Sequence, residues 1–493
     1  MPAVGATSVS ESRSRWTPTD RMVLLALILV AVARSLAIIL SPLELGVDEA
    51  QYWLWSTRFD FGYYTKPPLT SWIIGASHAV FGHHVWAVRL PAPWIHLATA
   101  LVLWRAGCWL GGNAAGRWAA LLWASLPAVA VGSFVISTDT PMLLFWSLGL
   151  LALVGATTGN LASRRAAMMA GAAFGAAMLS KYAAIFGVVG LALYWLPARF
   201  RARPSLAPAD LVLFAVAMLV IASPNIIWNL ANDLTTVRHL GDNANLDRQS
   251  YAPLNSLWFL AAQFATAGPV SFALMLGILR VRRGDDAGTL LLCLSVPVIA
   301  VMMLQAFLSE ANANWALAAM PALVLWLARW LAAGASRPGV AALAVNGAIC
   351  LVLVAVTIAG SLGPLTPQSD PLRRLRGWQQ LADNTATALA AHGAQTVVTD
   401  RRAAAALLSW HFYETGVEVL IHDADGIPSN HFETNTPWTP RPGRRLVALS
   451  GRSEPPAMED VAWPDAGGPP VSDTPISRNR NRTLYLHSGI EAD

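Results

Sequence analysis

The sequence predicts an α-helical polytopic membrane protein of about eleven transmembrane helices, followed by a small α/β domain outside the membrane. Three observations predict this class. Only 13% of the 493 residues are charged and 55% are hydrophobic, whereas a soluble domain carries about 25% charged residues. Apolar runs near the roughly 20 residues needed to cross a hydrocarbon core recur along the first three quarters of the chain. From about Gly363 onward the composition turns to that of a soluble domain, rich in Pro, Asp, Arg and Thr. The 21 tryptophans fit a membrane chain, because indole rings favour the water–lipid boundary.

Residues 1–20 have the polar composition of a disordered cytoplasmic N-terminus. The first apolar run, Met22 to Leu40, is long for a signal-peptide core and lacks a small-residue cleavage site, so it reads as a retained first span. Further spans are expected near 86–104, 118–134, 140–157, 166–180, 182–196, 209–229, 256–279, 287–308, 315–333 and 339–361. The fifth and sixth are short and meet at Ser180-Lys181-Tyr182; one kinked helix there would make the count ten. With the N-terminus inside, fifteen arginines fall on the cytoplasmic side: 13, 15, 21, 105, 117, 164, 165, 199, 201, 203, 280, 282, 283, 329 and 337. The outer loops hold Arg58, Lys66, Lys181, Arg238 and Arg248, with Arg89 at a span edge. This asymmetry sets the orientation. It makes 21–362 the transmembrane domain and places 363–493 on the periplasmic side. There, short β-like runs at 396–399, 417–421 and 445–449 alternate with a helical stretch, Arg401 to Tyr413. The basic residues form no long tract, which argues against a nucleic-acid surface. Cys108, Cys293 and Cys350 lie in or beside apolar segments with neither metal-ligand spacing nor a disulfide framework.

Under this topology the unusual polar residues gather on the outer face. Asp48, Glu49 and Lys66 lie in the first outer loop, Asp139 in the second, Lys181 in the third and His239 with Asp242 in the fourth. Glu310, Asn312 and Asn314 lie in the fifth. Ionisable groups beside a membrane are expensive and point to function. The adjacent carboxylates Asp48 and Glu49 suit a general base on an acceptor hydroxyl with a neighbour that positions it or a metal; a solvated helix N-terminus is the plainer reading. Lys66 and Lys181 are the only lysines among 34 basic residues. Lys66 precedes Pro67-Pro68, which hold the backbone before them extended, and its compact ammonium suits a phosphate oxygen. Asp139, before Pro141, also reads as a helix cap. Tyr52, Trp53, Trp55, Tyr63 and Tyr64 suit either stacking on a substrate or anchoring of the loop. His239 is a lone candidate metal ligand.

At these residues the chain resembles the bacterial members of glycosyltransferase family 39, in the GT-C group. That group includes protein O-mannosyltransferases, the lipid A aminoarabinose transferase and lipopolysaccharide galacturonosyltransferases. The pieces that carry the resemblance are Asp48-Glu49, Tyr64-Thr-Lys-Pro-Pro-Leu69, Thr138-Asp139, Leu179-Ser-Lys-Tyr182 and Glu310-Ala-Asn-Ala-Asn-Trp315, spread through about residues 20–340. The resemblance implies a GT-C fold and transfer of a sugar from a polyprenyl-phosphate donor to lipid A or lipopolysaccharide, another glycan or a protein. That transfer would be an inverting single displacement on the periplasmic face of the bacterial inner membrane. Asp48 would activate the acceptor, with Glu49 beside it. Lys66 and Lys181 would hold the donor phosphate, and Asp139, Tyr63, Tyr64, Glu310 and Asn314 would line the substrate site. In the aminoarabinose transferase a glutamate stands before the lysine and binds a metal with a histidine. Here that position is Thr65, which leaves a divalent metal, with His239 as its nearest candidate ligand, an open question. Ala50-Gln51 likewise lacks the arginine that some relatives carry after the acidic pair. The competing class is a transporter or lipid flippase of similar span number; against it, the charges gather at outer span ends and no internal repeat is visible.

Overall fold

The computed structural model describes residues 17–492 except 199–204, 237, 239–250, 280–284, 366–368, 424–425, 427–429, 452–453, 459, 464–469 and 478–479. Of the expected disordered N-terminus, residues 1–16 lie outside the described residues. Residues 17–20 instead open the first helix, α1 (Pro18–Leu40), because Thr17 and Asp20 close a capping box ahead of Pro18 at the first helical position.

The remaining membrane-domain helices are α2 (Val47–Ser56), α3 (Leu69–Phe81), α4 (Val85–Arg89), α5 (Pro91–Ser125), α6 (Pro127–Phe134), α7 (Asp139–Thr157), α8 (Ser163–Met178), α9 (Ile185–Ala198), α10 (Pro208–Ala231), α11 (Pro253–Ala267), α12 (Pro269–Ile278), α13 (Asp286–Cys293), α14 (Val296–Leu308), α15 (Met320–Ala332) and α16 (Ser336–Ala359). Each expected apolar run is helical. Among the described residues, seven stretches are long and apolar enough to cross a membrane, or eight with the bent pair α11–α12. The difference from about eleven has two sources. The stretches at Ser163–Met178 and Tyr182–Pro197 are short, being separated by a real break at Ser180-Lys181. Val85–Ser125 counts as one stretch of 41 residues. Within it Gly111 and Gly112 leave helical geometry, Gly112 at φ 75°, dividing the expected second and third runs.

The α11–α12 pair bends by 114° at Gly268. Its φ is 86°, and a Cβ there would lie 1.8 Å from Asn346 Oδ1. Asn346, on α16, donates to Ala267 O at 3.1 Å and to Ser271 Oγ at 3.0 Å. A neighbouring helix thus caps a carbonyl that the break frees, as broken helices at membrane depth require.

Beyond α16 lie α17 (Trp378–His392), β1 (Thr396–Thr399), α18 (Arg402–His411), β2 (Glu418–Ile421), α19 (His431–Asn435), β3 (Arg445–Ser450), β4 (Val461–Ala462), β5 (Pro470–Ser477) and β6 (Arg480–Glu491). The sheet order is β2-β1-β3-β6-β4, with β5 also on β6. β1 runs parallel to β2 and β3, and β6 runs antiparallel to β3, β4 and β5. This domain shares a core with the first loop. Leu45, Ala50, Trp53 and Trp55 pack in one cluster with Trp378, Leu381, Trp410 and Phe412. Trp378 N donates to Glu44 Oε2 at 2.6 Å, and Glu44 N to Leu375 O at 3.0 Å. The C-terminal domain therefore sits on the helix ends that carry the acidic pair.

Candidate active site

Helix α2 starts at the acidic pair, and the two carboxylates part ways there. The Glu49 side chain is 2% exposed, as is that of Arg89 on α4. Arg89 Nε donates to Glu49 Oε1 at 2.9 Å and Nη2 to Oε2 at 2.7 Å. Glu49 also accepts from Gly46 N at 2.9 Å and from Ile136 N at 3.1 Å. Both carboxylate oxygens are consumed by a two-pronged guanidinium contact and two amides. This corrects the expectation of a catalytic role: Glu49 holds α2 against α4 and the α6–α7 turn, and has no free face for a substrate. The Asp48 side chain is 67% exposed, with Oδ1 2.6 Å from Arg402 Nη2.

The Lys66 loop is fastened on several sides. Tyr63 N donates to Lys66 O at 3.2 Å, closing a turn, and Leu69 N donates to Leu179 O at 2.9 Å. Asn225 Nδ2 holds Phe61 O at 2.8 Å, and Thr236 Oγ1 holds Tyr63 O at 2.8 Å. Tyr182 OH donates to Asn225 Oδ1 at 2.6 Å and accepts from Asn229 Nδ2 at 2.9 Å. Pro67 and Pro68 are buried and Lys66 is half-buried. Tyr63 is turned inward: its ring stacks on Trp55 with centroids 5.0 Å apart, and its hydroxyl lies 2.9 Å from Trp55 O and 3.0 Å from Arg58 O. Burial pushes that phenol up to about 12. Tyr63 therefore anchors the loop, contrary to the expected substrate contact, because its polar atom is spent on backbone carbonyls. Trp53 and Trp55 are buried anchors as well, while Tyr64 is half-buried.

Three expected residues from separate loops meet. Lys181 Nζ lies 2.8 and 2.9 Å from the two oxygens of Asp139, and Asn314 Nδ2 donates to Asp139 Oδ2 at 3.1 Å. Asp139 is buried. Lys181 is thus matched to a carboxylate. Lys66, by contrast, makes no side-chain hydrogen bond or ion pair among the described residues. Glu310 is exposed and its side chain is not brought into this group, only its carbonyl lying 3.5 Å from Gln305 Nε2. His239 lies outside the described residues.

The electrostatics tie these groups into one site. Burial, followed by the Lys181 charge and offset by Asp48 and Asp139, holds the Lys66 ammonium below the ordinary lysine value of 10.5. Tyr52, buried on α2, has its phenol raised well above the usual range by burial and then by the Asp48 charge. The site is therefore an amphitheatre of Asp48, Tyr52, Lys66, Asp139, Lys181, Asn314 and Arg402 at one end of the helices. A half-buried cation without a protein partner among the described residues suits a phosphate oxygen, and an exposed carboxylate with one oxygen unbonded among them suits a hydroxyl proton. Neither Arg402 in this group nor Arg89 behind Glu49 was expected. A signal for Arg89 is an arginine two residues ahead of Pro91 at the lip of an apolar run; nothing local marks Arg402.

Among the described residues no three His, Cys, Asp or Glu side chains gather as a metal cage, and Thr65 adds no carboxylate beside Lys66.

The comparisons with known proteins agree in kind. The family model for dolichyl-phosphate-mannose-protein mannosyltransferase matches residues 65–228. The chain is 36% identical over 395 residues to the lipid A galacturonosyltransferase RgtD of Rhizobium johnstonii, covering 78% of this chain and 82% of that relative. Its fold matches the crystal structure of ArnT from Cupriavidus metallidurans bound to undecaprenyl phosphate with a TM-score of 0.67, at 14% identity, over 96% of this chain and 98% of that one. It also matches the arabinofuranosyltransferase AftD from Mycobacteria with a TM-score of 0.51, at 14% identity, over 95% of this chain and 40% of that one. At such identities the two structural likenesses are likenesses of fold.

Proposed function

Because the chain belongs to glycosyltransferase family 39 and is a multi-pass membrane glycosyltransferase of the GT-C fold, we propose that it moves a hexuronic acid from a polyprenyl-phosphate donor to lipid A on the periplasmic face of the bacterial inner membrane. The acceptor and sugar class rest on the 36% identity to a lipid A galacturonosyltransferase. The carrier rests on the fold shared with a structure that holds undecaprenyl phosphate. The observation that carries the reading is Lys66: a half-buried cation with no protein partner among the described residues, beside the Asp139–Lys181 pair and near Asp48.

On this reading the donor phosphate meets Lys66, with Lys181 behind it. The acceptor hydroxyl gives its proton to Asp48 as its oxygen bonds the anomeric carbon. The bond from that carbon to the phosphate oxygen breaks in the same displacement, and its electron pair leaves with the phosphate. Preorganised positive charge lowers the barrier because negative charge grows on that leaving group. Glu49 and Arg89 fix the height of α2, and Asp139 with Asn314 fixes Lys181. The periplasmic orientation follows from the arginine asymmetry along the chain and makes 363–493 a periplasmic domain over the site.

The test compares lipid A mass spectra of a deletion strain and its parent, then repeats the comparison with Asp48→Asn and Lys66→Ala in place of the wild-type chain. The expected result is loss of one uronic acid residue per lipid A in the deletion strain and in both variants. An unchanged lipid A spectrum in the deletion strain overturns the acceptor assignment, and wild-type modification by Asp48→Asn overturns the assignment of the base.

A further inference from the structure

Arg402 is the first residue of α18 and belongs to the C-terminal domain, yet its guanidinium reaches the acidic pair. Its Nη2 lies 2.6 Å from Asp48 Oδ1 and its Nε 2.6 Å from Gln51 Oε1. Asp48 and Gln51 are three residues apart and so lie on one face of α2. Gln51 is wholly buried, which fixes the amide that in turn fixes the guanidinium. Asp48 Oδ2 accepts no hydrogen bond among the described residues. One carboxylate oxygen is thus clamped and the other is bare, on a side chain that is mostly exposed.

The docking of the domain does not require this contact. Trp53 packs edge-on against Trp410 with centroids 4.7 Å apart and against Tyr413 at 5.0 Å. His83 stacks on Trp410 with centroids 3.7 Å apart and touches its carbonyl at 3.0 Å. Ion pairs as open as Asp48–Arg402 add little to stability. The fork of Arg402 instead gives direction: a planar guanidinium held at two nitrogens leaves a carboxylate little freedom to swing. Arg402 also acts electrostatically on Lys66 and Tyr52, so its charge is felt across the site.

We propose that Arg402 is a positioning residue of the transfer reaction, holding Asp48 Oδ1 so that Oδ2 faces the acceptor hydroxyl, and that the catalytic centre is therefore built from both domains. The proposal rests on the reading of Asp48 as the base. The acceptor proton goes to Oδ2 while the acceptor oxygen bonds the anomeric carbon and the phosphate departs with the electron pair of the broken bond. Arg402 gains and loses no atom in this step.

The test uses the full-length chain in proteoliposomes with a polyprenyl-phosphate uronic acid donor and lipid A, comparing the wild type with Arg402→Gln and Arg402→Lys. The expected result for Arg402→Gln is a fall in kcat of roughly tenfold to a hundredfold, the scale of a misplaced catalytic group. Its donor KM and thermal midpoint should stay near the wild type, and Arg402→Lys should fall between. A second measurement needs no substrate: labelling of Asp48 by a water-soluble carbodiimide and an amine, read by peptide mass spectrometry, should rise several-fold in Arg402→Gln. Unchanged kcat, a change confined to donor KM, a loss of thermal midpoint in both variants, or unchanged Asp48 labelling each overturns the proposal. If the wild type transfers nothing, the functional reading fails, and the labelling ratio still decides whether Arg402 clamps Asp48.

Discussion

Replacing Glu49 by Gln tests whether the second carboxylate of the acidic pair is structural. The substitution keeps shape and volume but exchanges one acceptor oxygen for a donor. All four partners of Glu49 are donors: Arg89 Nε at 2.9 Å, Arg89 Nη2 at 2.7 Å, Gly46 N at 2.9 Å and Ile136 N at 3.1 Å. Whichever way the amide is turned, its NH2 faces two of them, and Arg89 is left charged in a site where its side chain is 2% exposed. Removing one partner of a buried ion pair costs about 3–5 kcal/mol. For a domain of this size that corresponds to a fall in thermal midpoint of about 4–7 °C, measurable by tryptophan emission of the purified protein in detergent. The double replacement Glu49→Leu with Arg89→Met removes the orphan charge and should be less damaging than the two single changes added together. It should not reach the wild type, because Gly46 N and Ile136 N stay unsatisfied at about 1–3 kcal/mol each. A Glu49→Gln midpoint within about 1 °C of the wild type, or strict additivity in the double variant, refutes the argument; both magnitudes follow from the same scale.

Other outcomes follow from the same geometry. The Lys66 ammonium is held below 10.5 by burial and by Lys181, so its positive charge is present at lower pH and is lost as pH rises through that depressed value. Donor KM, measured by initial rates in proteoliposomes, should therefore climb at a pH below the ordinary lysine range, and Lys66→Arg should flatten that limb; a flat wild-type profile up to pH 10.5 sinks the assignment. The linked effect on folding has the opposite sense: the unfolded chain binds the extra proton, so this group's contribution to stability rises with pH between the two values. Asp139→Asn and Lys181→Met should each lower kcat at least about tenfold, with clear non-additivity in the double variant, since each breaks the same contact. Gly268→Ala should cost at least about 2–3 kcal/mol, combining left-handed backbone strain with a clash. Its signature is a lower yield of folded protein in fluorescence size-exclusion profiles, and a wild-type profile would refute the need for glycine at this bend.

The membrane helices were legible because lipid imposes a length and a composition on any segment that crosses it. Counting them was harder, since Gly111-Gly112 divides one apolar run and the short helices on either side of Lys181 have a length set by their packing. Scarcity of lysine led to Lys66 and Lys181, and the expected outer loops to Asp139 and Asn314; Lys181, Asp139 and Asn314 are joined by hydrogen bonds. Sequence adjacency misled at Asp48-Glu49. Neighbouring residues on a helix point about 100° apart, so one carboxylate turns to solvent and the other to Arg89, 40 residues away. Tyr63 reads the same as a ligand or an anchor until its hydroxyl is seen against two carbonyls. Arg402 lies 354 residues from Asp48, in a domain of ordinary charge density, where no local pattern distinguishes one arginine from another.

The charge balance of the site gives the proposed chemistry a further constraint. Lys66, Lys181 and Arg402 stand against Asp48 and Asp139, since Glu49 is neutralised by Arg89. That leaves one positive charge for the single negative charge of a phosphodiester donor. As the displacement proceeds, the departing phosphate gains a second negative charge while Asp48 takes the acceptor proton and becomes neutral. The total does not change, but the negative charge moves from Asp48 toward the phosphate. Arg402 holds Asp48 ionised and ready to accept the proton, while Lys66 gains a stronger partner as the phosphate departs, so the field at the phosphate favours the products without any group having to enter or leave. A uronic acid donor carries one more carboxylate, which this count leaves unmatched. The acid group of the sugar should therefore lie toward the exposed Arg58, and not beside Asp139. A neutral hexose donor with the same carrier would escape that penalty. Comparing uronic acid and hexose donors in Arg58→Gln thus locates the carboxylate: loss of selectivity for the acidic sugar places it at Arg58, and equal loss for both sugars places it elsewhere.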